Sequence, residues 1–236
     1  PAQPLYLDPA ALRLPHVAVA NAAREALRMA DTAGTMLKGA HRVLKTDDRK
    51  LVGEIRRMDD VLDRLHDRIK RYLTEIAIEE LDARDAQRVT DVLSFTINLE
   101  HVGDIIDRNL METAQRKIRR KLKFSDEGAA DLAEILERLA DTQRLAAAVF
   151  ISGDQRAAKM LMREKEVIRN LEARATREHF ARLRAGRAES VGSSSLHLDV
   201  LRDLRRINAH LVAAAYPVLD QSGELLPSRL KGDAAG

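Results

Sequence analysis

Between positions 51 and 76 the apolar residues fall at Leu51, Ile55, Met58, Leu62, Leu65, Ile69, Leu73 and Ile76, always three or four apart. That spacing predicts a helix with a single narrow apolar seam, the pattern of a helix packed lengthwise in a bundle. The same alternation recurs at Val92, Phe95, Leu99, Val102 and Ile106, and again at Val200, Leu204, Ile207, Leu211 and Ala214. The six prolines and 11 glycines gather mainly near the two ends and around 186–192, leaving long stretches of strong helix formers uninterrupted. Start and stop signals place helices over 15–44, 46–78, 82–119, 125–152, 153–183 and 194–216. Connections of about two residues require neighbours to run antiparallel, so the expectation is an all-α, up-and-down bundle. The serine run at 192–195 reads as a loop with a helix cap.

An internal repeat divides the six helices. "MADT" at 29–32 answers "LADT" at 139–142, "VLDRL" at 61–65 answers "VIRNL" at 167–171, and "LEHVG" at 99–103 answers "LRRIN" at 204–208. A near-constant offset of this kind is one three-helix unit used twice. The chain then divides into a linker (1–14), a first three-helix repeat (15–120), a second three-helix repeat (121–219) and a tail (220–236). Pro1 in place of Met reads as a piece of a longer protein whose earlier part is missing.

Composition narrows the function. With no cysteine, disulfide scaffolds and cysteine nucleophiles are excluded, and 40 Lys plus Arg against 37 Asp plus Glu is too even for a nucleic-acid binder. The longest apolar runs, 145–151 and 211–219, fall short of the roughly 20 residues a bilayer span needs. No Gly-rich phosphate loop and no Gly-x-Ser-x-Gly elbow is present.

The candidate chemistry is carboxylate chemistry. Asp59 and Asp63 are four apart on the second helix, each following a seam residue, with His66 further along the strip. Glu100 and Asp104 are four apart on the third, with Asp107 beyond them. Two antiparallel helices each presenting an acidic pair to one seam repel unless a cation neutralises them. Oxygen ligands suit Mg²⁺, Ca²⁺ or Mn²⁺, and a flanking imidazole suits iron or zinc. The competing reading is ordinary surface pairing with Arg57, Arg64, Arg108 and Lys70. A ferritin-like di-iron oxidase needs Glu-x-x-His on two helices, and only Asp63-x-x-His66 comes near it.

The stretches "MDDVLDRL" at 58–65 and "LEHVGDIIDRN" at 99–109 resemble the two acidic motifs of the PhoU family, as does the twofold three-helix repeat. "LYLDPAAL" at 5–12, "ESVGSSSL" at 189–196 and "HLDVLRDLRRINAHL" at 197–211 are similar to the PhoU-like tail of bacterial sodium-dependent phosphate cotransporters. The resemblance covers nearly the whole chain. It implies a non-enzymatic domain on the cytoplasmic side of the plasma membrane, concerned with phosphate transport or its regulation. The implied partner is a membrane-embedded phosphate transporter portion, in the same or a separate chain, with a homodimer left open. It also implies a metal, often iron, held by Asp59 with Asp63 and by Glu100 with Asp104. The runner-up is a free-standing adaptor that restrains a sensor kinase and phosphate uptake.

The second repeat departs from the pattern. Its counterparts of those four acids are Lys165, Arg169, Arg205 and Ala209, and cationic side chains cannot ligate a metal. At most one acidic site is expected. Lys165, Arg169, Arg202, Arg205 and Arg206 could instead collect an anion, with His197 and His210 on the same face, or pair internally with Glu164, Glu166, Glu172, Asp199 and Asp203.

Overall fold

The computed structural model describes residues 3–223. Six long rods carry the architecture: α1 (Pro15–Thr46), α2 (Arg49–Thr74), α3 (Ala83–Asp104), α5 (Asp126–Ser152), α6 (Gln155–Arg184) and α7 (Ala188–Val212). The third rod continues through a π-helical segment, Ile105–Met111, into α4 (Glu112–Arg119), and a short α8 (Tyr216–Gln221) follows α7. The first three rods and the last three form two antiparallel three-helix units, the all-α, six-helix bundle that the periodicity predicts.

Local chemistry explains the boundaries. In both repeats the first hairpin uses one device: a residue in the left-handed region, then an aspartate that caps the next helix. Asp47 (φ 57°) precedes Asp48, whose carboxylate accepts from the Leu51 N–H, and Gly153 (φ 63°) precedes Asp154, which accepts from Arg156 and Ala157. Asp82 and Ser125 cap α3 and α5 in the same way. The turn at Asp47 moves the start of α2 to Arg49, three residues later than the pattern predicts. The repeat is visible at atomic level as well: the hydroxyls of Thr32 and Thr142 donate to the carbonyls of Arg28 and Arg138 at 3.0 and 2.9 Å.

The serine run is not a loop. Residues 192–195 lie inside α7, which begins six residues earlier than expected, after a break at Gly186 (φ 71°). The reason is packing: Ser193 is buried and donates to the Glu189 carbonyl, and Ser194 meets His179 on α6 at 2.8 Å. Small hydroxylated side chains serve there as close helix contacts, and their back-bonding to the preceding turn is compatible with helix.

The core is built from Ala, Leu, Ile, Val and Met, and α1 is its axis, with alanines 18, 22, 26, 30, 33 and 40 all buried. Such small residues let neighbouring helices approach closely. Between the repeats the Gln143 amide on α5 donates to the Ala30 carbonyl at 2.7 Å, and a Cβ at Gly34 would lie 2.6 Å from the Gln143 side-chain oxygen. Phe95 and Phe150 stack across the same seam with centroids 4.1 Å apart.

The stretch before α1 is held against the bundle. The Leu5 and Tyr6 N–H groups donate to the fully buried Glu25 carboxylate at 3.0–3.2 Å, and the Tyr72 hydroxyl donates to the Asp8 carbonyl at 2.8 Å. Of the expected tail, 224–236 lies outside the described residues. No helix among the described residues is long and apolar enough to cross a membrane.

Candidate metal centre

Asp59 follows Met58 on α2 and projects directly at α3, where it is 4% exposed. It fits because the facing residue is Gly103: a Cβ there would lie 2.5 Å from Asp59 Oδ1 and 2.6 Å from Leu62 Cδ1. The glycine therefore sets the distance between the two helices, and Asp104 follows it immediately. One turn along α2, Asp63 completes the group, and oxygen atoms of Asp59, Asp63 and Asp104 lie within 4.8 Å of one another. Glu100, His101 and Asp104 form an adjoining set at the same separation. Asp104 belongs to both, so the four predicted acids form one continuous cluster.

Three of its atoms, the Oδ1 of Asp59, Asp63 and Asp104, are buried and accept no hydrogen bond. A buried carboxylate oxygen without a donor is costly, and three beside one another cost more. The titration behaviour follows. Burial, and next the charges of Asp63, Asp107 and Asp104, push the Asp59 carboxyl up to about 8. Burial and then Asp104 raise Asp63, which Arg108 partly opposes, and burial with Asp104 also raises Glu100. A divalent cation would resolve the conflict by supplying a partner for the Asp59 and Asp63 oxygens and a closer one for Asp104, whose Oδ1 has only Arg108 at 3.5 Å. The residues present fit such an ion: Asp59, Asp63, Asp104 and Glu100 would hold it as oxygen ligands, with His101 as the nearest nitrogen.

The surrounding charges do not neutralise the cluster. Of the cations expected to pair with it, Arg108 reaches Asp104 at 3.5 Å and Lys70 pairs with Asp67 instead. Arg56, which the spacing argument did not single out, binds Asp107 at 3.2 Å. The π-helical segment begins directly after Asp104. Its wider turn rephases the rod, burying Ile105, Ile106, Leu110 and Met111 together while Asp107 stays on the α2 side. Nothing in the apolar spacing announces that extra residue. Gly103 was legible only as a glycine within a helical pattern.

His66 lies outside the cluster: its ring meets the Thr96 hydroxyl at 3.2 Å, and burial lowers its pKa. His101 pairs with Glu100 at 3.3 Å and packs tilted against His210 of α7, ring centroids 4.9 Å apart, and His210 meets Asn98 at 2.8 Å. The cluster is thereby tied to the second repeat.

In that repeat the expected basic face is paired internally. Arg169 binds Glu166 at 2.6 Å, Arg205 binds Glu172 at 3.4 Å, Arg206 binds the buried Asp203 at 3.2 Å, and Arg202 lies 3.5 Å from both Asp199 and Asp203. Lys165 donates to the Tyr216 hydroxyl at 3.3 Å. Glu164 binds Arg138 of α5. His197 does not join that face: it is buried against His179, ring centroids 4.7 Å apart, in the interior of the second repeat.

A six-helix bundle of two antiparallel three-helix units, with an acidic cluster between its second and third rods, defines the class: an all-helical tandem-repeat bundle with a candidate cation site. Residues 26–113, which hold all four acids, match the PhoU domain model. That match spans 88 of the 236 residues and lies within the first repeat. The chain's fold is that of PhoU from Pseudomonas aeruginosa (TM-score 0.77, 18% identity, 86% of this chain and 96% of that one). PhoU from Streptococcus pneumoniae, a phosphate transport system regulatory protein, is equally similar (TM-score 0.77, 14% identity, 89% and 98%). In sequence the chain is 36% identical over 222 residues to a protein of Escherichia coli K12 named "Putative inorganic phosphate export protein YjbB". It is 36% identical over 219 residues to the Salmonella typhimurium protein of the same name. These alignments cover 93–94% of this chain but only 40–41% of the relatives.

Proposed function

We propose that this chain is a regulatory, non-enzymatic module of phosphate transport. It acts on the cytoplasmic side of a membrane-embedded, sodium-coupled phosphate transporter portion and carries a divalent cation, iron among the candidates, on Asp59, Asp63, Glu100 and Asp104. The observation that carries this reading is the 36% identity over 94% of the chain to proteins named for phosphate export, in which the matched part is 41% of the whole. The name of those relatives favours a role in phosphate leaving the cell. The three buried carboxylate oxygens that accept no hydrogen bond support the cation. A second reading, a free-standing adaptor, is favoured by the likeness to PhoU structures, which this fold covers almost from end to end.

The test has two arms. Protein purified without chelator or affinity-tag metal is analysed for elements beside the D59N/D63N/E100Q/D104N variant. Stoichiometric metal lost only in the variant is the expected outcome. In cells carrying the gene in either form, labelled phosphate is followed in both directions across the membrane. Fluxes that are identical with and without the cluster would remove the regulatory role assigned to it.

A further inference from the structure

At the end of the bundle formed by the α1–α2, α4–α5 and α6–α7 connections, a cavity of about 510 Å³ opens between α1 and α5. We propose that it binds a nucleoside phosphate, with the base against the apolar wall and the phosphates on the lysine rim.

The wall includes Leu44, Phe124, Ala129, Ala133 and Leu136. Three of these project from successive turns of α5, and the alanines leave the helix surface low enough for a flat ring to approach. The rim carries His41, Lys45, Lys117 and Lys123, with the carboxylates of Asp47 and Glu137 beside them. Lys117 is committed: its ammonium binds Asp47 at 2.7 Å and lies 5.4 Å from the centre of the Phe124 ring, fixing both where they line the cavity. Lys45 and Lys123 make no ion pair among the described residues, in contrast to the cations of α6 and α7 that pair with acids. The positive field extends past the rim, because six of the eight residues at 116–123 are Lys or Arg.

The volume is that of a small-molecule site. Each lining group then has a counterpart in one ligand chemistry. Unpaired lysines match phosphate charge, Phe124 and the alanines match an aromatic base, and Glu137 offers an acceptor for sugar hydroxyls. Free inorganic phosphate would leave the apolar wall unused, and a fatty acid would leave Glu137 unmatched. The acidic cluster on α2 and α3 contributes no residue to this cavity, so the proposal does not depend on the metal reading.

Calorimetric titration of the whole chain, chelated and without Mg²⁺, tests it with ATP, inorganic triphosphate, adenosine and an acidic peptide as probes at one ionic strength. The expected result is one ATP site per chain with Kd below about 1 mM. Triphosphate and adenosine are each expected to bind at least ~10-fold more weakly, and the peptide more weakly still. Lys45→Gln with Lys123→Gln should weaken ATP at least ~10-fold, as should Ala133→Leu, which fills the cavity without changing charge. Thermal unfolding confirms that each variant is folded. Triphosphate or peptide binding as tightly as ATP would overturn the proposal in favour of a bare charge patch or a protein partner. Binding unaffected by Ala133→Leu, or no saturable binding, would overturn it outright.

Discussion

The Asp59 carboxyl of the metal-free protein titrates at about 8 instead of 3.8. Between those values the folded chain holds a proton that the unfolded chain has released, so stability rises as pH falls through that range. His197 acts in the opposite sense. Burial, then His179 and Arg182, lower its value from 6.5 to about 4, so between those values the unfolded chain binds the extra proton and acid destabilises. Chelated protein is therefore expected to gain Tm from pH 8 down to about 6.5, and to level off or lose it below, once His197 opposes Asp59. Excess divalent cation should reverse the upper limb, because ligation requires ionised carboxylates. Thermal scans across this range in chelator check the sign. A Tm that increases with pH above 6.5 would show that the acids are not crowded as described.

At the scale of elements, the contact between α2 and α3 depends on Gly103. Gly103→Ala places a methyl 2.5 Å from Asp59 Oδ1 and 2.6 Å from Leu62 Cδ1, and both neighbours are buried. The expected cost is about 1–3 kcal/mol, the usual range for overpacking a core, together with weakened metal binding as Asp59 is displaced. Denaturant midpoints and metal titration of the variant measure both. The legibility of the sequence divides at this same contact. The seam residues Ile55, Leu62, Leu65, Val92, Phe95, Leu99, Val102 and Ile106 could be read from their spacing, because a helix that buries one face leaves a period. The pairing of Asp59 and Asp63 with Asp104 could be inferred from seam position, although the distance could not. The π-helical turn and the helical serine run could not be read, since both depend on what the neighbouring rod presents and not on local preference. His197 was placed on the wrong face for a related reason: a polar side chain in a helical pattern carries no mark of whether a buried partner such as His179 awaits it.

For the molecule as a whole, α1 belongs to both repeats. It packs on α2 and α3 within the first and on α5 of the second, and fifteen of its 32 residues are buried. A fragment ending at residue 120 would expose the α5-facing side of α1 to water. It is therefore expected to be molten, with helical far-ultraviolet signal but no cooperative transition, whereas the full chain unfolds in a single step. Calorimetry of both checks this. A fragment that unfolds cooperatively near the Tm of the full chain would mean that the repeats are independent domains.

The amide of Gln143, seated over Gly34 and bonded to the Ala30 carbonyl, has a mechanical consequence. It works as a dowel between the repeats. Sliding α5 along α1 would carry the side chain out of the notch at Gly34 and towards turns that bear Cβ atoms. Shear at that point is opposed by the hydrogen bond and by the steric fit at Gly34. Relative motion of the two repeats at this contact is therefore expected to be a pivot about Gln143 rather than a slide along α1.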